Sequence, residues 1–299
     1  MYASLLIILI PLIGGYLLPR LGQNLRRVLD RLLSAMVYII LFFMGISLAL
    51  LDNLATNLLL IAWYAGVSAL CILSVNALAL WWLEKRMPWH GASRQAKPPS
   101  RLRMALDSLQ LCLVVVAGFA IGLTRWHWLG VASQASEFAL ILLLVLVGIQ
   151  LRNSGMTLRQ ILLNRRGASI ALVVAASAML GGAMAAMLLG LPLHTGLAMA
   201  SAFGWYSLSG ILMSDAFGPV IGSAAFFNDL TRELLAIVLI PGLMRRSRSV
   251  ALGLCGATSM DFTLPVLQRS GGVEVVPAAI VHGFLLSLLA PVLIALFSA

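Results

Sequence analysis

The sequence predicts an all-α polytopic membrane protein, with about eight transmembrane helices plus two re-entrant or broken helical hairpins arranged as an inverted repeat. Three observations carry that expectation. Hydrophobic residues make up 61% of the chain and charged residues only 10%, with a mean hydropathy of +1.02. That leaves too little polar surface to cover a water-soluble globule. Apolar runs near the length that crosses a hydrocarbon core recur along the whole chain, and strand-like alternation is absent, which excludes a β-barrel. Finally, two stretches near the C-terminal end, Phe226–Glu233 (FFNDLTRE) and Gly256–Pro265 (GATSMDFTLP), put ionisable groups among apolar residues and beside the Gly, Ser, Thr or Pro that loosen a helix.

Taken in order, the first apolar segment is Tyr2–Leu18. It lacks a basic n-region, and Arg20, Arg26, Arg27 and Arg31 follow it, which argues for a retained first helix with its N-terminus outside. The next candidate spans are Leu32–Leu51, Leu58–Leu83, Met104–Leu123, Phe138–Leu151 and Ile170–Leu189. The loops Arg20–Arg31, Glu84–Arg103 and Arg152–Arg166 are basic. Asp52–Asn57 and Gly190–His194 contain no Lys or Arg, and Arg125–Glu137 has one Arg at its edge. This alternation satisfies the positive-inside rule. It also accounts for the net charge of +10 without nucleic acid, for which no reading motif is present.

Residues 1–83 and 104–189 read as two helical repeats of opposite direction, joined by a cytoplasmic linker, 84–103, that contains Pro98-Pro99. LIGGYLL at Leu12–Leu18 resembles VAGFAIG at Val116–Gly122, and ILFFMGISL at Ile40–Leu48 resembles LLLVLVGIQL at Leu142–Leu151. An odd number of intervening crossings inverts the second copy, an arrangement common in secondary transporters.

The remainder, 190–299, is expected to hold the transport helices. Thr195–Met213 and Val220–Leu243 are both apolar, and Arg245, Arg246 and Arg248 follow. Two full crossings would put that Arg cluster outside. Thr195–Met213, interrupted by Ser201, Gly204, Ser207, Ser209 and Gly210, is therefore expected to enter and leave on one side. Val250–Leu267 is a second such stretch, ahead of a full span at Val275–Phe297. MASAFG at Met199–Gly204 aligns with ATSMDF at Ala257–Phe262. The two hairpins are expected to approach from opposite faces and meet near the midplane, with both chain termini outside.

The candidate site residues are Glu233, Asp261, Asp229, Arg232, Asn228, Thr258, Ser259, Thr263 and His282. Asp229 and Glu233 are spaced i, i+4 and share a helix face, and Asn228 and Arg232 share the adjoining stripe. A competing structural role is a buried Arg232–Asp229 ion pair closing a helix contact. One Arg does not neutralise two carboxylates, which leaves Glu233 for a proton or a cationic ligand. Asp261 is either a site acid or a cap on a broken helix. Thr258, Ser259 and Thr263 supply uncharged oxygens for a ligand or for freed backbone groups. His282 is either a proton relay or a hydrogen-bonded core residue. Cys71, Cys112 and Cys255 lie apart in apolar segments, so neither a metal site nor a disulfide is expected. No nucleotide-binding loop is present to supply ATP energy, and no cofactor is expected.

SAFGWYSLSG at Ser201–Gly210, GSAAFFNDLTRE at Gly222–Glu233 and CGATSMDFTLP at Cys255–Pro265, with GISLALLDN and the RRSRS turn, closely resemble the LysO-type lysine exporters of bacterial inner membranes. The resemblance extends over nearly the whole chain. It implies export of L-lysine, and of close basic analogues, to the periplasm, with Glu233 and Asp261 as the intramembrane acids that matter for transport. The expected partners are lysine, protons and the bilayer, and a homo-oligomer is compatible with the sequence. An acidic site alone fits another cation antiporter as well, for Na⁺ or a polyamine. An intramembrane aspartyl enzyme built on Asp229 and Asp261 lacks a GxGD stretch. A passive channel lacks a polar stripe along the other spans.

Overall fold

The computed structural model describes residues 10–11, 13–19, 22–50, 54–89, 113–124, 126, 132–153, 164–260 and 262–298. Every regular element among them is helical. The first predicted segment and the linker 84–103 fall largely outside the described residues, and Asp261 lies outside them altogether.

The early helices are α1 (Gln23–Ala49), α2 (Leu54–Arg86), α3 (Leu113–Gly122), α4 (Ala132–Asn153) and α5 (Arg165–Leu189). Long runs of Leu, Ala, Val and Ile without an internal proline make α2, α4 and α5 continuous, and a helix meets all of its own backbone hydrogen-bonding needs in lipid. The Asn164 side chain starts α5 by accepting the Gly167 N–H (2.9 Å), and Gly190, at φ 66°, ends it. Thr56–Arg86, Arg165–Leu189 and the C-terminal helix Val276–Ser298 are long and apolar enough to cross a membrane. The predicted spans Leu58–Leu83 and Ile170–Leu189 lie inside α2 and α5. Helices α1 and α4 begin earlier than the apolar runs that predict them, at Gln23 and Ala132.

Close backbone approach organises the packing. The backbones of Gly45 and Val115, Gly118 and Phe42, and Gly122 and Ile46 touch where α1 and α3 cross, and Gly15 lies on Val145 of α4. These contacts are the small-residue packing by which helices associate in lipid, where the hydrophobic effect offers no drive. A second group is built on α2 and α5, which run together with Gly181 against Ile72. Leu41 and Val115 of the first group meet Tyr206, Phe226 and Leu230 of the second in one apolar cluster.

After α5 come α6 (Leu193–Ala200), a turn at 201–205, α7 (Tyr206–Phe217) and α8 (Pro219–Arg246). Then follow α9 (Arg248–Cys255), a 3-10 turn (Gly256–Met260), α10 (Leu264–Gly271), a short 3-10 turn (Val273–Val275) and α11 (Val276–Ser298). At about 1.5 Å per residue, α6, α9 and α10 each rise roughly 12 Å, less than half a bilayer core of about 30 Å. Each broken segment doubles back. The ring of His194, at the start of α6, lies 5.8 Å from that of Phe217, at the end of α7. In the second hairpin Arg248 Nη1 comes within 3.9 Å of Glu274 Oε2, and Gly271 abuts Met244 near the end of α8.

The mouth of the first hairpin thus adjoins the N-terminus of α8, and that of the second adjoins its C-terminus. Their tips meet beside Arg232, at the middle of α8, where the Ala257 N–H donates to the Phe203 carbonyl (3.0 Å). The two segments expected to turn back do so, from opposite ends of α8.

The second mouth shares its end of the molecule with the basic termini of α2 and α5. The Arg166 guanidinium donates to the carbonyls of Met87 (3.1 Å) and Pro88 (2.8 Å) and sits over the Trp89 ring. Glu84 accepts the Ser249 N–H (2.8 Å), and Trp89 Nε1 donates to Ser249 Oγ (3.1 Å).

Candidate functional site

The site is built where two broken helices cross against an unbroken one. Phe203 and Gly204 turn the first hairpin at φ 54° and 89°, and Gly256 turns the second at φ 60°. A side chain at Gly256 would run into the Phe203 carbonyl, so glycine is required there by the approach of the other tip as well as by its own dihedral. A left-handed phenylalanine is uncommon. Phe203 is fully buried, and packing holds it.

Helix α8 presents Asn228, Asp229, Arg232 and Glu233 to this crossing, all of them at most 4% exposed. Asp229 Oδ1 accepts the Gly204 N–H at 2.9 Å and lies 3.4 Å from Asn228 Nδ2. The Ser209 hydroxyl faces the same carboxylate and contacts the Tyr206 carbonyl at 3.3 Å. Asp229 Oδ2 has no hydrogen-bond partner among the described residues. Arg232 reaches the other hairpin: Nε donates to the Leu254 carbonyl (2.9 Å) and Nη2 to that of Gly253 (2.6 Å), at the C-terminal end of α9. The two side chains attract each other across a distance. Direct pairing, the competing role drawn from the sequence, is replaced by one hairpin contact for each. Glu233 is buried, and both it and Arg232 lie within electrostatic reach of Cys255, the last residue of α9.

The remaining candidates lie around the tip of the second hairpin. Thr258 Oγ1 donates to the Cys255 carbonyl (2.9 Å), and Thr263 Oγ1 donates to that of Thr258 (3.0 Å), so both hydroxyls serve backbone freed by the break. Ser259 Oγ lies 2.9 Å from the Ala279 carbonyl and 2.8 Å from Nδ1 of His282, joining the tip to α11. His282 is fully buried, and its Nε2 has no partner among the described residues. The arrangement brings Asp229, Arg232 and Glu233 together with the tips and places His282 behind Ser259. Among the described residues no group of side chains is suited to hold a metal ion.

Sequence reasoning missed several participants. The backbone of Gly204 and the carbonyls of Gly253 and Leu254 are the partners of the charged pair, and no side-chain motif announces them. Ser209 was noted only as a helix breaker. Asn76 of α2 and Ser177 of α5 meet at 2.6 Å, buried, with Asn76 Nδ2 unpartnered among the described residues. The available signal was a single asparagine in an apolar span, which is costly to bury without a role.

In chemical terms, the crossing gathers two helix N-termini (α7 and α10) and two C-termini (α6 and α9), with carboxylates beside them. Helix N-termini favour anions, whereas helix C-termini and carboxylates favour cations. The crossing therefore brings together groups of both signs.

Residues 112–298 match the family described as lysine exporter LysO. The chain is 67% identical, over the whole length of both, to the "Lysine exporter LysO" of Escherichia coli strain K12. It is 44% identical to a "Putative lysine exporter" of Haemophilus influenzae, across 64% of this chain and 97% of that protein.

Proposed function

Because this chain belongs to the lysine exporter LysO family, a family of transporters and not of enzymes, we propose that it exports L-lysine and close basic analogues from the cytoplasm in exchange for protons. The observation that carries the reading is the meeting of two oppositely opening hairpins at the buried Asp229–Arg232–Glu233 segment of α8. A site reached by short hairpins from opposite ends can be opened to one side at a time, which is what alternating access needs.

Glu233 and Asp261 are the acids proposed for exchange, with Asp229, Asn228, Thr258, Ser259, Thr263 and His282 as the further candidate residues. A carboxylate that takes either a proton or an ammonium group makes the two ligands mutually exclusive. Moving one positive charge outward against a negative interior costs about 2.3 kcal/mol per 100 mV. An incoming proton offsets that electrical term. The carboxylate of the substrate is accommodated at a half-helix N-terminus. In this reading the hairpins are re-entrant, the fold is an inverted repeat of about eight spans in the bacterial inner membrane, the Arg245–Arg248 turn is cytoplasmic and both termini are periplasmic.

The test is counterflow. Purified protein in liposomes loaded with unlabelled lysine is expected to accumulate labelled lysine from a dilute outer solution. Exchange of Na⁺ or spermidine without lysine counterflow would assign the chain to a different cation.

A further inference from the structure

Arg232 occupies an unusual position for a substrate ligand. Its side chain passes between the two tips: Cδ lies against Gly204 of the first hairpin, and the guanidinium carbon lies against Gly256 of the second. Both neighbours are glycines at positive φ, so no side chain intervenes. Two donors of the guanidinium are engaged at 2.6 and 2.9 Å by the last carbonyls of α9. Hydrogen bonds from a charged donor to the negative end of a helix are among the stronger ones available. Three residues earlier on the same helix, Asp229 holds the Gly204 N–H of the other tip (2.9 Å). A third bond, Ala257 N–H to the Phe203 carbonyl, ties tip to tip (3.0 Å). A substrate carboxylate that drew the guanidinium away from α9 would strip those carbonyls of their donors in a buried place, which is unfavourable.

We infer that Arg232 is a positioning residue and not a ligand for lysine. Together with Asp229 it fastens both hairpin tips to the middle of α8, so that neither tip leaves the crossing independently. Where a charge-balanced site would spend Arg232 on the carboxylate of the substrate, here it fixes the tip that carries Thr258 and Ser259. The inference rests on the transporter reading above and adds a division of labour within the site.

A native reporter lies next to the latch. Cys255 is buried at the end of α9, beside the two carbonyls that Arg232 holds. In a Cys71→Ala, Cys112→Ala background it is the only thiol, and its reaction with N-ethylmaleimide reports release of the tip. The reporter background with Arg232 intact should label slowly. Arg232→Gln should label faster by about tenfold or more, since charge-assisted bonds are lost. Arg232→Lys, which keeps the charge but not the fork, should fall between the two. In proteoliposomes Arg232→Lys should lower Vmax while leaving the KM for lysine within about twofold, the signature of a group not used in ground-state binding. The preference for lysine over 1,5-diaminopentane, which is lysine without its carboxylate, should be unchanged.

A raised KM with loss of that preference, and Cys255 still protected, would show instead that Arg232 reads the carboxylate and would overturn the inference. So would Arg232→Gln with unaltered labelling. Should Arg232→Gln fail to fold, the labelling and kinetics of Arg232→Lys decide between the same alternatives. Labelling needs no substrate, so absence of lysine counterflow with Arg232 intact would remove the transporter reading while the latch remains testable by itself.

Discussion

Replacing Gly256 by alanine is a severe test of the crossing, because a single methyl group strikes two features at once. Gly256 has φ 60° and ψ −137°, a conformation that an L-residue holds only with strain of about 1–3 kcal/mol. Its added Cβ would land on the backbone carbonyl of Phe203 and not on a side chain able to rotate away. The tips must then part, and the Ala257 N–H to Phe203 carbonyl bond is lost in a buried place, for about another 1–3 kcal/mol. The expected destabilisation is about 2–6 kcal/mol. Thermal unfolding of the purified protein in detergent, followed by circular dichroism, measures it, with lysine counterflow run in parallel. Gly66→Ala is the control: nothing lies within 4 Å of a Cβ there. Alanine in a helix interior is favoured over glycine by about 1 kcal/mol, so this variant should match or exceed the parent. If Gly256→Ala unfolds with the parent protein and transports normally, the two tips do not meet as described.

Two further outcomes follow from the same geometry. Ser259→Ala removes the hydroxyl that contacts both the Ala279 carbonyl and His282 Nδ1. With His282 fully buried, it should destabilise the protein by about 1–3 kcal/mol. Thermal unfolding checks this, and an unchanged midpoint would mean that the tip is not anchored to α11. Ser247→Cys, in a background without other cysteines, should resist impermeant thiol reagents applied to intact cells and react once the inner face is exposed; labelling from outside would reverse the assigned orientation.

Much of this architecture was legible in local composition. The clusters of Gly, Ser and Thr inside Thr195–Met213 and Val250–Leu267 marked both helix breaks, and the Arg245–Arg248 turn argued that the first of them reverses the chain. His194 against Phe217 and Arg248 against Glu274 bear out that reversal. Helix starts were less legible: α1 begins at Gln23, ahead of its apolar run, because a helix continues past the hydrocarbon boundary that hydropathy detects.

Within the site, the i, i+4 spacing of Asp229 with Glu233 and of Asn228 with Arg232 placed them on adjoining stripes of one apolar helix. That spacing did not fix their partners. Arg232 and Asp229 looked like an ion pair because spacing along one helix says nothing of what approaches from elsewhere. The carbonyls of Gly253 and Leu254 and the N–H of Gly204 belong to other segments, and backbone groups leave no trace in residue type. The same reasoning explains Ser177: Asn76 stands out in its apolar helix, but its partner is fixed only once α2 and α5 lie together.

Exchange at Glu233 and Asp261 is tested most directly by lysine flux driven by a pH gradient in proteoliposomes carrying the Glu233→Gln, Asp261→Asn double substitution. Neutral amides keep size and most hydrogen bonding and are easier to bury than carboxylates, so the protein should insert and fold. Lysine flux in response to an opposing proton gradient should fall to the level of protein-free liposomes. Normal pH-driven lysine flux in that double variant would contradict the assignment of these acids to the exchange.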